Sequence, residues 1–283
     1  MAGADTTGVA TQEWQGRVGR SWADEWQRTD RSFTHLTAEL ERRLSGMDVH
    51  SALDVGCGAG ELSLALARCN PDAQVLGVDV SPDLVAVARQ RAAGLSNVHF
   101  ELADASSWQP SAYERPDLVM SRHGVMFFAD PVAAFRNLHQ ACAVDAGLLF
   151  SCFRGIEHNP FFAEAVRLIP ADAAGPPPDP NAPGPFAFAD SERVKRILAG
   201  AGWKHIACEP FDFTMIAGAG DRPVEDAVHY FSRIGPAARA LAAMGGGERQ
   251  AMQAGLAELA RRHLNEGVVA LGASVWIVTA ARD

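Results

Sequence analysis

Short apolar runs alternate along the chain with stretches of amphipathic spacing. Residues 52–55, 75–78, 98–102, 118–121 and 147–153 are runs with the length and texture of strands buried on both faces. Between them lie helical patterns. In residues 61–68, Leu62, Ala65 and Leu66, with Cys69 just beyond, fall on one side of a helix. Ser81-Pro82-Asp83 opens a second helix, running to about residue 93, with a serine N-cap, proline in the first turn and an acid at the positive end of the dipole. Asp130-Pro131 opens a third helix that runs to about residue 142. Strands that alternate with helices predict parallel βαβ units with right-handed crossovers, helices on both sheet faces and ligands at the carboxyl ends of the strands. The fold class is therefore α/β, a doubly wound Rossmann-like sheet.

The flanking regions follow other rhythms. Residues 11–44 read as helix and carry Trp14, Trp22 and Trp26; Trp22 and Trp26 are spaced to share one face, which must cover something apolar. The first ten residues are small and polar, the composition of a disordered end. Residues 175–185 hold six prolines, which excludes regular helix or central strand and predicts a loop or lid. Beyond it, residues 190–201 predict a helix ended by Gly202, and 206–216 a strand. Residues 223–265 are mostly helical, with breaks at Gly235-Pro236 and Gly245-Gly246-Gly247, and 268–280 form a final strand. The expected division is a helical cover over 1–50, a ligand-binding core over 51–155 and a lid insertion over 156–189. A core helix and strand over 190–218, a helical insertion over 219–266 and the last core strand over 267–283 complete it.

Composition narrows the function without setting it. With 283 residues, 48% hydrophobic and 21% charged, the chain is ordinarily globular. A formal net charge of −9 weighs against a nucleic-acid partner and against an acidic membrane surface. The five cysteines are odd in number and none is spaced C-x-x-C, so neither a disulfide framework nor a zinc site is expected; they read mostly as buried, reduced thiols. The longest uncharged run, residues 267–281, is shorter than the roughly 20 residues of a membrane-spanning helix. No basic-then-apolar signal pattern stands at the start, and a cytoplasmic location is the default expectation.

The chemistry concentrates in Leu53-Asp54-Val55-Gly56-Cys57-Gly58-Ala59-Gly60, where a strand enters three glycines and then a helix. A dinucleotide loop would need glycine at the position of Glu61, and the acid two residues before the first glycine would repel a diphosphate while holding an ammonium group. Asp79, followed by Val80, ends the next strand, where an acid accepts from ribose hydroxyls. Asp104-Ala105 ends the third, where an acid can accept from an adenine amino group and an apolar neighbour can flank the ring. An adenosine with a cationic amino-acid arm and no phosphate satisfies all three, and S-adenosylmethionine has that constitution. Plainer readings stand beside these: an ordinary strand–helix turn, a helix-capping acid at Asp79, a solvated strand-end acid at Asp104.

On these residues, on Gly77-Val78-Asp79-Val80-Ser81 and on Gly124-Val125-Met126-Phe127-Phe128-Ala129-Asp130-Pro131, the chain resembles the class I S-adenosylmethionine-dependent methyltransferases, and within them the ubiquinone/menaquinone-biosynthesis type. The resemblance covers residues 51–153 firmly and the rest loosely. It implies a seven-stranded sheet whose last strand, residues 267–280, is antiparallel and partners residues 206–216. It also implies that Asp54 with the backbone of Gly56, Cys57, Gly58 and Gly60 meets the methionine portion, that Asp79 takes the ribose, and that Asp104 with Ala105 takes the adenine. Ser121 and Arg122 would line the sulfonium side, and Trp22 would close over the donor, its face attracting the cation. One departure is that Val144-Asp145-Ala146-Gly147 replaces the usual basic-Pro-Gly-Gly turn.

His123, just past the fourth strand, is either a general base for the acceptor or a packed histidine. His139, His158 and His229 are weaker candidates for substrate contact. Trp22 can be core instead of donor cover, and Phe127 and Phe128 core or pocket wall. Phe161, Phe162, Phe186 and Phe188 flank the proline run, as anchors or as pocket lining. The implied reaction is in-line methyl transfer to a small, partly apolar molecule, leaving S-adenosylhomocysteine. The rival classes are a donor-binding protein without turnover and a nicotinamide oxidoreductase.

Overall fold

The computed structural model describes residues 12–110, 115–170 and 179–283. The expectations for the first ten residues, and for the proline run as far as Pro178, lie outside them. The core is one mixed sheet. Strands β1 (Ser51–Val55), β2 (Gln74–Asp79), β3 (Val98–Leu102), β4 (Leu118–Arg122), β5 (Gly147–Phe153), β6 (Lys204–Gly218) and β8 (Val268–Ala281) lie in the order β3-β2-β1-β4-β5-β8-β6. The first five strands are parallel, and β8 is antiparallel to both β5 and β6. β8 thus fills the place expected for the last strand. An eighth strand not foreseen, β7 (Leu264–Asn265), pairs with the start of β8 through a tight turn in which Glu266 and Gly267 both have positive φ, 48° and 79°.

The order places the chain's change of direction between β1 and β4. The connection after β1 runs toward β2 and the one after β4 toward β5, so the loops at their carboxyl ends diverge and leave a crevice. Helices α4 (Glu61–Cys69), α5 (Pro82–Arg91) and α6 (Pro131–Ala141) make the crossovers, with side-chain caps from Ser81 to Leu84 N at 3.4 Å and from Asp130 to Ala133 N at 3.0 Å. Helix α4 is buried all round from Leu62 to Ala67, because it lies between the sheet and α3 (Thr34–Leu44). Cys69, placed by its spacing on the packed side, sits in the last turn beyond that cover and is exposed. Asp145 takes the positive φ, 65°, that the turn before β5 requires in place of a glycine.

The single N-terminal helix read from the pattern is broken up: residues 12–15 are helical as far as a turn at Gly16, and α1 (Arg17–Asp24), α2 (Trp26–Ser32) and α3 follow, separated by Glu25 and Phe33, whose φ values of −101° and −98° interrupt the helical course. Helices α7 (Pro160–Val166), α8 (Ser191–Ala201), α9 (Pro223–Arg233), α10 (Pro236–Ala243) and α11 (Gly246–Arg262) follow, and α8 stops at the left-handed Gly202. The Gly235-Pro236 and triple-glycine breaks separate α9, α10 and α11 as their residues dictate. Phe161, Phe162 and Phe188 are buried, and Phe153 packs against Phe162 and Phe186 at 4.9 and 6.0 Å between ring centroids.

Candidate active site

A partly open cavity of about 180 Å³ lies at the carboxyl ends of β1, β2, β3 and β4, beneath α1 and α2. Of the residues singled out in the sequence, Trp22, Asp54, Gly56, Cys57, Gly58, Asp79, Val80, Asp104, Ala105, Arg122 and His123 line it. Gly60 and Ser121 do not. Gly60 is the left-handed N-cap of α4, where an added Cβ would meet the Phe100 ring at 2.7 Å. Ser121 is buried behind the wall, donating to Val55 O at 2.7 Å and accepting from Gly124 N at 3.0 Å, so it braces the loop after β4 against the end of β1.

The loop after β1 approaches the loop after β4 without room for side chains. A Cβ on Gly56, whose φ is +64°, would lie 2.7 Å from Gly124 Cα. Asp79 fixes the loop from the next strand: Oδ2 accepts from Gly58 N at 2.9 Å and Oδ1 from Ser81 N at 2.8 Å. Burial raises its pKa, against the pull of these backbone N–H groups. Asp54 is 1% exposed; Oδ2 accepts from Ser63 Oγ at 2.6 Å, while Oδ1 is buried with no hydrogen-bond partner. Burial pushes its pKa up to about 6, with Ser63 opposing. A buried carboxylate with one unused oxygen beside a cavity calls for a cation or a donor. Asp104 accepts from Ser106 N at 2.8 Å through Oδ1.

His123 has the positive φ of 70°, rare outside glycine, and stacks on Phe153 at 4.2 Å with Phe33 at 5.1 Å. Both ring nitrogens are buried without partners. Burial, with the Arg122 cation beside it, pushes the pKa down to about 3, so the ring is neutral at pH 7.

The cavity also takes Trp14 and Trp26 from the tryptophan-rich N-terminal segment, and Asp30, which the sequence reading passed over. Trp22, Trp26 and Asp30 recur every four positions, a row that could have pointed to the acid as well as to the tryptophans. Asp30 contacts Arg91 at 2.8 Å and Arg122 at 3.1 Å, and burial raises its pKa. Arg91 also donates to Ala59 O at 2.8 Å and lies over the Trp26 ring at 4.0 Å, tying the glycine loop to the N-terminal helices. Phe127 and Phe128 form part of the wall, and Trp14 meets Phe127 edge-on at 5.0 Å.

Residues 48–174 match the family model described as a methyltransferase domain. Over that segment the chain is similar to this domain type, and its sheet has the strand order of the Rossmann-like methyltransferase fold. The chain is 36% identical over 97 residues to a trans-aconitate 2-methyltransferase of Methylobacterium radiotolerans, covering 34% of this chain and 35% of that one. It is 29% identical over 131 residues to a malonyl-[acyl-carrier protein] O-methyltransferase of Bacillus anthracis, covering 46% and 48%. The matches thus span a third to a half of these relatives' own length. Among solved structures, phosphoethanolamine N-methyltransferase 2 of Haemonchus contortus, in complex with S-adenosyl-L-methionine, shares the fold at a TM-score of 0.56 and 16% identity, over 99% of this chain and 60% of that one. Among the described residues, no helix is long and apolar enough to cross a membrane.

Proposed function

We propose that the protein is an enzyme that transfers the methyl group of S-adenosylmethionine to a small molecule. The observation that carries this reading is the orphaned Oδ1 of Asp54, buried at the mouth of a glycine loop too tight for side chains. That oxygen suits the ammonium group of an amino acid and repels a pyrophosphate. The residues fit the donor elsewhere too. Asp79, fixed by two backbone N–H groups, keeps lone pairs for ribose hydroxyls. Asp104 and Ala105 line the same cavity and suit an adenine amino group and ring, and Trp22 and Arg122 are also in its wall. The resemblance of residues 53–60, 77–81 and 124–131 to the ubiquinone/menaquinone-biosynthesis type supports placement in that group.

When bound, S-adenosylmethionine supplies an electrophilic methyl on a positively charged sulfur. The protein holds the donor arm at Asp54, keeps the acceptor in line and excludes water beneath the tryptophans of the N-terminal helices. His123 serves as the proton acceptor for a hydroxyl substrate. Its low basicity suffices, because an alkylated hydroxyl is a far stronger acid than an imidazolium, and the proton can leave at or after transfer.

The test is incubation with S-adenosylmethionine and a panel of phenols, amines and acids, trans-aconitate among them, while measuring S-adenosylhomocysteine. Acceptor-dependent product is expected. Tight binding of the donor with no product from any acceptor would favour a donor-binding protein without turnover. Uptake of NAD in place of the sulfonium nucleoside would favour an oxidoreductase.

A further inference from the structure

Charge in the cavity is lopsided. Among the described residues that line it, four are aspartates (Asp30, Asp54, Asp79 and Asp104) and Arg122 is the one arginine or lysine. That guanidinium is already engaged. It meets Asp30 at 3.1 Å, donates to Thr37 Oγ1 at 2.7 Å and lies over the Phe33 ring at 5.2 Å. Behind it, Arg91 is held by Asp30, by Glu61 and by Ala59 O. The residues outside the described ones contain Asp5, Glu114 and Asp172 and neither lysine nor arginine. A donor with an amino-acid arm brings its own carboxylate, a competing claim on Arg122.

A carboxylate acceptor would therefore enter a partly enclosed, net-acidic cavity with no unengaged cation to meet it, and would lose hydration without compensation. The walls left over from the donor contacts are of another kind: Trp14, Phe127, Phe128 and the neutral His123 ring. A neutral imidazole offers one donor and one acceptor, the complement of a hydroxyl group and a poor match for a carboxylate, which only accepts. Resting on the methyl-transfer reading above, we infer that the acceptor is an uncharged aromatic hydroxyl compound, and that carboxylic acids are excluded by the Asp30–Arg122 pairing. The transfer balances without a co-reactant: the hydroxyl oxygen forms a bond to the methyl carbon, the carbon–sulfur bond breaks with its electron pair going to sulfur, and the hydroxyl proton leaves to His123 or solvent.

The experiment separates this from the donor reading. Calorimetric titration with S-adenosylhomocysteine alone comes first; failure there sinks the donor reading itself. With donor binding established, methyl transfer from S-adenosylmethionine is measured at pH 7.5 to 2-naphthol, to 2-naphthoate and to trans-aconitate. The naphthol is expected to be favoured over the naphthoate by at least about 100-fold in kcat/KM, the scale of leaving a buried charge unpaired. Equal or better use of either acid would overturn the proposal, and so would intact donor binding with no transfer to the naphthol. One variant addresses the cause. Asp30→Asn releases Arg122 and is expected to narrow the naphthol preference at least about tenfold, as an unpaired cation becomes available to the acid. An unchanged ratio would show that Asp30 does not set the selectivity.

Discussion

The donor side of the cavity and the helices above it are joined by opposite means. On the donor side the contacts are short in sequence: Ser63 to Asp54 spans nine residues, and Gly58 to Asp79 spans 21. Above it, the N-terminal helices are tied to α9 by ion pairs, and at His229 by a hydrogen bond, between residues about 200 positions apart. Asp226 takes Arg28 at 2.7 Å and Arg31 at 2.6 Å, Glu25 takes His229 at 2.7 Å, and Asp24 takes Arg233 at 2.8 Å. The half below is built by strand ends and the two facing loops after β1 and β4, so its geometry survives as long as the sheet does. The long-range half is built by charges that meet only in the folded state. Substitutions below the cavity should thus act on the ligand as well as on the fold, and those above it on stability alone.

The largest effect that would sharpen this contrast is expected from the loop itself. Gly56→Ala forces a Cβ to 2.7 Å from Gly124 Cα at a φ of +64°. A loss of about 3 kcal/mol in urea unfolding is expected, since two backbones must part. A loss under about 1 kcal/mol would mean that the two loops yield to each other.

Next in size is a dependence on pH. The Asp54 carboxyl ionises near 3.8 when the chain is unfolded and at about 6 in the fold. The folded state therefore holds this proton more tightly, and the stability it contributes is full below the lower value and lost as pH rises through the upper. Asp54→Asn removes that loss. Without ligand, the variant should be as stable as the natural protein near pH 4 and more stable at pH 7, by on the order of 3 kcal/mol. Thermal melts across that range measure it, and a constant difference would place its origin outside Asp54.

Smaller again is Asp226→Asn, which strips two arginines of their shared carboxylate. About 2 kcal/mol of stability should be lost, with donor affinity changing less than about threefold. A large drop in affinity would show that the halves are not separable. Smallest is Asp24→Asn, whose pair with Arg233 is 56% and 41% exposed. Its effect should fall below about 0.5 kcal/mol.

The same contrast decides what could be read from residues alone. That the glycine loop, Asp79 and Asp104 meet at one cavity was legible because a β–α turn and two strand-end acids are local patterns with a fixed mechanical meaning. The strands were legible as apolar runs, and the cap pairs at Ser81 and Asp130 gave the helix starts. Asp30 escaped, because its meaning comes from Arg122, 92 residues away. Arg91 escaped for the same reason, and so did the two-residue β7, too short to carry a period. Ser121 sits at the right strand end, but its hydroxyl turns to Val55 O and away from the cavity wall. That choice follows from the closeness of two loops, which no spacing within one loop reveals.

The central measurement is a calorimetric titration of S-adenosylhomocysteine into the natural protein and into Asp54→Asn at pH 7.5, with NAD as the control ligand. Saturable uptake of the nucleoside by the natural protein, weaker by about 100-fold in the variant, with no uptake of NAD, is the expected result. Equal affinity in the two proteins, or a preference for NAD, would contradict it.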